Sequence, residues 1–290
     1  MKAEAKKAAA RKSEAKKAAA TKSGAKKAGY GWVLVSAVCT ATLIAATAWS
    51  GDDEQDGAPV GAGRGSTARE LADRARQALL TASSLHVTVE DRSKGAGTSA
   101  PSALDLALDR EDDCMASVTF GAHGRADIVR SDDRVWMRMD AKLWRTRLPG
   151  ADGRAAAKLL KGRYVTGPAD DRTLADLASV CDLSALRRQI RDGGTGREAV
   201  RKGEPTTLDG TRVVPLTTEA DGTTSTLYVA AHGTPYALGY TEVSAGAAGT
   251  RATDTTTRYT DYGKPVPVRT PPADASVDVS KLASLGAGTR

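Results

Sequence analysis

"SALDLALDREDDCMASVTF", residues 102–120, decides the fold. Leu104, Leu106 and Leu108 alternate with Asp105 and Asp109, and Cys114, Ala116, Val118 and Phe120 then alternate with Met115, Ser117 and Thr119. A period of two is that of a strand, whose successive side chains point to opposite faces. Here one face is apolar and the other polar. Such strands are half-buried and belong to an antiparallel meander rather than to a parallel sheet covered on both sides.

The same pattern continues to either side. In "LHVTVED" (85–91) Leu85, Val87 and Val89 oppose His86, Thr88 and Glu90; in "RVWMRMD" (134–140) Val135, Met137 and Met139 oppose Trp136, Arg138 and Asp140. Strand patterning returns after residue 205, with turns expected at Asp209-Gly210, Asp221-Gly222 and His232-Gly233. Val214 and Leu216, Leu227 and Val229, then Tyr236, Leu238 and Tyr240 supply the alternating residues there. "TRATDTTTRYTDYG" reads as the last strand, and the Pro-rich "KPVPVRTPP" is expected to end the sheet.

Helices precede and interrupt the strands. Thr67 and Glu70 form a capping box, and Ala68, Leu71, Ala72, Ala75, Ala78, Leu79 and Ala82 make one apolar stripe, so a helix is expected over 68–82. Thr173 and Asp176 can cap a helix over Leu174–Val180, and Leu183–Ile190 forms another, closed by Gly193-Gly194. The reading is one α+β domain over residues 67–280, with a tail at 281–290.

The chain before this domain is different in kind. Residues 1–29 repeat lysine and alanine in decapeptides, and residues 1–49 hold ten Lys/Arg against Glu4 and Glu14. The decapeptide period does not keep the lysines on one helical face, so the arm is expected to be disordered or weakly helical. After residue 49 the balance is 32 basic against 33 acidic side chains. The body therefore offers no basic groove to nucleic acid; contact through the arm alone would be sequence-independent and salt-sensitive.

Gly31–Trp49 carries no charge over 19 residues, and residues 30–49 are expected to form a single N-terminal transmembrane helix or a signal segment. Lysines before it and "SGDDEQD" after it place the arm in the cytoplasm and the domain outside. The alternative is secretion after cleavage near Ala48, since Ala46-Thr47-Ala48 has the form of a signal-peptidase site. Residues 50–66 are a flexible linker.

Outside the apolar segment there are two cysteines, Cys114 and Cys181. In an oxidising compartment they are expected to form a disulfide; two buried free thiols are the alternative. His86, His123 and His232 lack metal-ligand spacing. The chain has no G-x-S-x-G, HExxH or GxxxxGK[ST] motif. No enzymatic activity, cofactor or metal is expected.

Three stretches carry a family resemblance: Val135–Arg138 ("VWMR") followed by Trp144, Asp209–Val214 ("DGTRVV"), and Thr226–Leu238 ("TLYVAAHGTPYAL"). With the order of elements over about residues 67–280, the chain resembles the LolA-like superfamily. Within it, the chain looks most like the actinobacterial LppX/LprG-type cell-envelope lipoproteins. It departs from them at Cys39, where Val38 stands in a lipobox position that calls for a small residue, and in holding a single Phe.

The resemblance implies a curved antiparallel half-barrel with helices covering the concave face. It also implies an apolar cavity of the kind that relatives use for acyl chains of lipids or glycolipids. The candidate lining is Leu71, Leu79, Val87, Leu104, Leu106, Leu108, Val118, Phe120, Met137 and Met139, with ordinary core as the alternative for each. The expected function is a membrane-tethered extracytoplasmic binding domain for a hydrophobic ligand or lipid. The alternative is a protein-interaction or sensor module, with a filled core and an envelope protein as its partner.

Overall fold

The structure, a computed structural model, describes residues 66–93, 100–148, 150–171, 174–175, 179–192, 199–246 and 252–281. The basic arm, the apolar segment Gly31–Trp49 with its anchor, signal and Cys39 readings, Gly193-Gly194 and the tail beyond 281 lie outside the described residues. Among the described residues no helix is long and apolar enough to cross a membrane.

Among the described residues thirteen strands form one large, open, curved sheet. The first six are β1 (Ser84–Asp91), β2 (Ala103–Asp109), β3 (Cys114–Thr119), β4 (Arg125–Ser131), β5 (Arg134–Met139) and β6 (Tyr164–Pro168). The remainder are β7 (Arg201–Lys202), β8 (Thr206–Leu208), β9 (Thr211–Ala220), β10 (Thr223–Ala230), β11 (Ala237–Ser244), β12 (Thr253–Thr260) and β13 (Ser276–Asp278). Their order is β13-β6-β5-β4-β3-β2-β1-β12-β11-β10-β9-β7, with β8 also on β9. The two meanders are joined where β1 pairs with β12, and every pair is antiparallel except β13 with β6.

Turn chemistry sets the register. Asp209-Gly210 and Asp221-Gly222 each close a two-residue hairpin loop with both residues at positive φ (47° and 81°; 49° and 74°). That is the type I′ geometry whose twist matches a hairpin, and Asp and Gly tolerate it. A bulge between Tyr228 and Val229 changes one expectation: Val229 pairs with Ala237 and Leu227 with Tyr240, leaving Leu238 as the extra residue. The alternation Tyr236, Leu238, Tyr240 is therefore broken. Ala237 and Tyr240 are the buried members, because one inserted residue flips the phase of a strand.

Helix α1 (Ala68–Thr81) begins at the expected capping box. Thr67 Oγ1 accepts from Glu70 N at 3.2 Å, and Glu70 Oε2 accepts from Thr67 N at 2.8 Å. Its buried stripe, Leu71, Ala72, Ala75 and Leu79, packs against β10, β11 and α4 (Leu183–Asp192). Of the expected helix Leu174–Val180, residues 176–178 lie outside the described residues, and Ser179–Cys181 is a 3-10 turn.

Two helices lie in a stretch to which the sequence reading assigns no element: α2 (Ala141–Arg147) and α3 (Gly150–Leu159). Asp140 does not continue β5. It caps α2, accepting from Lys142 N (3.0 Å) and Leu143 N (2.7 Å). The two helices approach closely at Gly153, where a Cβ would lie 3.0 Å from Trp144 O and 3.1 Å from Arg145 Cα.

The Pro-rich segment does not end the sheet. Ser84 Oγ donates to Lys264 O at 2.6 Å, and Pro265, Val266 and Pro267 line a groove with Ala107 and Met115 on the polar face. The chain then reaches β6 and adds β13 parallel to it. Proline lacks the N–H that a ladder needs, so this strap crosses the sheet without joining it until the prolines stop.

The expected disulfide is formed: Cys114 at the start of β3 is bonded to Cys181, with Cα atoms 5.6 Å apart. It fixes the approach to α4 onto the sheet. Constraining a loop of 67 residues stabilises by about 4 kcal/mol in the chain-entropy model.

Candidate functional site

Strand register turns the alternation into rows across the apolar face. One row runs Met139, Ala126, Val118, Leu104, Val89, Thr257, Tyr240, Leu227, Leu216. The next runs Val165, Met137, Ile128, Ala116, Leu106, Val87, Tyr259. A third joins Val135, Arg130, Cys114, Leu108 and Leu85.

Seven of the ten candidate lining residues, Val87, Leu104, Leu106, Leu108, Val118, Met137 and Met139, thus come together on β1, β2, β3 and β5. Phe120 lies just past β3, 2 % exposed, with the Arg147 guanidinium 4.6 Å above its ring. Leu71 and Leu79 come from α1, over the β10–β11 half of the sheet. All ten are buried, at most 6 % exposed.

Two of the rows each hold one alanine on the β3–β4 part of the sheet. Ala116 and Ala126 sit on adjacent strands, each a methyl group among leucines, valines and methionines. Ala126, Ile128 and Val165 lie on β4 and β6, which the sequence reading passed over. "RADIVRS" does alternate, with Ala126 and Ile128 on one side and Asp127 on the other, so a signal existed.

The β9–β12 half of the same face is more polar. Ser225, Thr218 and Thr257 are buried there; the Tyr240 hydroxyl donates to Glu242 Oε2 at 3.2 Å and meets Ser225 Oγ at 3.0 Å. Burial pushes the Glu242 carboxyl above its ordinary range, opposed by that hydrogen bond. Nothing in the alternation marked Glu242, because its partner was set by register.

Two grooves open elsewhere. One, of about 370 Å³, lies between the strap and the polar face, with His86, Asp105, Asp261 and Lys264 at its polar end. His86 Nε2 lies 2.9 Å from Asp105 Oδ1, and Nδ1 lies 3.3 Å from Thr260 Oγ1 and 3.6 Å from Asp261 Oδ2. Both ring nitrogens are engaged, and the cluster ties β12, β1 and β2 together. The other groove, about 430 Å³, is bordered by Asp112, Arg130, Asp170, Ser179 and Asp182; Arg130 there pairs with Asp112 at 2.9 Å. Among the described residues no three or more His, Cys, Asp or Glu side chains are arranged to hold a metal ion.

No protein-family model matches the chain, and no curated relative does. Solved structures do. Lipoprotein LppX of Mycobacterium tuberculosis is 11 % identical, with 69 % of this chain and 97 % of that one covered, at a TM-score of 0.42. LprF of Mycobacterium bovis is 12 % identical over 70 % and 96 %, at 0.46. A LolA superfamily protein of Nitrosomonas europaea is 9 % identical over 72 % and 96 %, at 0.23. These names are those of the family that the sequence resembles. The architecture rests on strand order and register rather than on these likenesses.

Proposed function

We propose that the domain is a non-enzymatic, extracytoplasmic binding module that holds a hydrophobic ligand, such as the acyl chains of a lipid or glycolipid, against the apolar face of its sheet. The observation that carries this reading is the pair of small residues Ala116 and Ala126 on adjacent strands of that face, with Met139 paired to Ala126 and Met137 one strand beyond Ile128 in the row of Ala116. Small residues leave room, and thioether side chains re-pack around varied shapes. Each methylene buried there would contribute about 0.8 kcal/mol. In this reading the Gly31–Trp49 segment tethers the module to the membrane.

The test is native mass spectrometry and lipid extraction of the full chain taken from membranes. An acyl-bearing species retained by the wild type and lost from Ala126→Phe supports the proposal. A protein free of small molecules in both forms sinks it.

A second reading is favoured by one observation: all ten candidate residues are at most 6 % exposed. A face so well covered suits a protein-interaction or sensor module of the cell envelope with a filled core. There Ala126→Phe would overpack the core and cost about 1–3 kcal/mol.

A further inference from the structure

We infer that the α2–α3 hairpin is a docking surface for the anionic headgroups of a lipid bilayer. Residues 141–163 hold seven Lys/Arg against Asp152 alone. The rest of the chain after residue 49 is then left with 25 basic against 32 acidic side chains. The near-neutral body is therefore polarised, and its positive end is this hairpin.

Six of the seven cations, Lys142, Arg145, Arg154, Lys158, Lys161 and Arg163, are exposed, and none forms an ion pair among the described residues. Arg145 and Arg163 reach only backbone carbonyls, those of Ala141 (2.8 Å) and Asp274 (3.5 Å). Several basic side chains elsewhere are neutralised in place, as in Arg138–Asp127 (2.8 Å) and Arg258–Asp209 (2.9 Å).

Apolar side chains accompany the charge. Among the described residues three large hydrophobic side chains are exposed, and two of them, Leu148 (38 %) and Leu159 (50 %), belong to this hairpin. On α3 the buried side is Gly153 and Ala157, whereas Arg154, Ala155, Lys158 and Leu159 face solvent. Cations beside exposed leucines on a short helix are the pattern of an element that lies in a membrane interface: headgroups take the charge and the acyl boundary takes the leucines. Each Lys or Arg near an anionic surface adds to the attraction, and salt screens it. The inference stands whatever the apolar face of the sheet binds.

The test uses the full chain with Cys39→Ser, so that an added cysteine is the one free thiol beside the Cys114–Cys181 bridge. An environment-sensitive fluorophore is placed at Ala155→Cys, and in a second protein at Val243→Cys on β11 as a distant exposed control. Each is reconstituted into vesicles of phosphatidylcholine alone or mixed with phosphatidylglycerol.

The label at 155 is expected to shift to the blue and to be quenched by nitroxide-bearing lipid only with phosphatidylglycerol. High salt and the exposed double variant Arg154→Glu/Lys158→Glu abolish both effects, with melting unchanged. The label at 243 stays the same throughout. Identical behaviour of the 155 label in both vesicles overturns the inference. So does an equal response at 243, or a response to a soluble acidic polypeptide in place of vesicles.

Discussion

Arg76 and Arg187 each donate to the carboxyl end of the helix opposite. Arg76, on α1, gives Nη2 to Arg191 O at 2.6 Å and Nε to Ile190 O at 3.3 Å; Arg187, on α4, gives Nη2 to Ala82 O. These carbonyls lack partners within their own helices, and the cation complements the negative end of the dipole. The pairing makes α1 and α4 antiparallel and turns two short helices into one cover.

Removing either arginine should loosen that cover. Arg76→Ala and Arg187→Ala are each expected to cost about 1 kcal/mol, which lowers the melting temperature of a domain this size by about 2–4 °C. Hydrogen exchange should quicken in α1 and α4 and stay unchanged in β3 and β4. Faster exchange spread evenly over the sheet would contradict a role confined to the cover.

The disulfide should resist reduction in the native state, because Cys114 and Cys181 are both 0 % exposed. Reductant alone is expected to leave both thiols unlabelled by an alkylating reagent, whereas reductant with denaturant exposes both. Cys114→Ser/Cys181→Ser should lose about 4 kcal/mol in a chemical denaturation series. A loss below about 1 kcal/mol would mean that the chain around Cys181 is held by packing alone.

Glu242 should make stability depend on pH. Its carboxyl titrates above its ordinary value of 4.5 because of burial, so the fold favours the protonated form. The stabilisation is complete below the unfolded value and is lost as pH rises through the folded one. Denaturation of wild type and Glu242→Gln across this window should show the wild type falling behind the variant as pH rises.

Asp127 has the opposite sign. Burial raises its pKa, but hydrogen bonds from Arg138 (2.8 Å) and Arg125 (2.9 Å) outweigh that and hold it below the usual carboxylate range. Its contribution is present above the unfolded value near 3.8 and is lost on acidification. Asp127→Asn should flatten the acid limb of the stability profile; an unchanged acid limb would show that the pair contributes nothing there.

The glycine at the base of α2 should tolerate no side chain. Gly124 has φ of 120°, and a Cβ there would lie 2.6 Å from Leu143 N. Gly124→Ala is expected to destabilise by about 1–3 kcal/mol through backbone strain and displacement of the Asp140 cap. Circular dichroism melting would read it, and a melting temperature equal to wild type would refute the close approach.

Local order is what the chain announces by itself. The alternation of Leu104–Leu108 and Val135–Met139, the capping box Thr67–Glu70 and the Asp-Gly turns each rest on contacts within a few residues, so pattern alone sets strands, helix and hairpins. The disulfide partners follow from there being two cysteines beyond the apolar segment.

Longer-range features depended on what the pattern could not carry. Gly150 and Gly153, poor helix formers, hide the helix of residues 150–159 from a propensity reading: Gly150 takes a φ of 68°, and Gly153 is required by the close approach to Trp144 and Arg145. The phase of β11 turned on one bulged residue, Leu238. The strap to β13, the rows that run through Ala116 and Ala126, the burial of Glu242 and the reciprocal arginine caps all join residues distant in the chain. Register and packing decide which of them meet, and no local period encodes either.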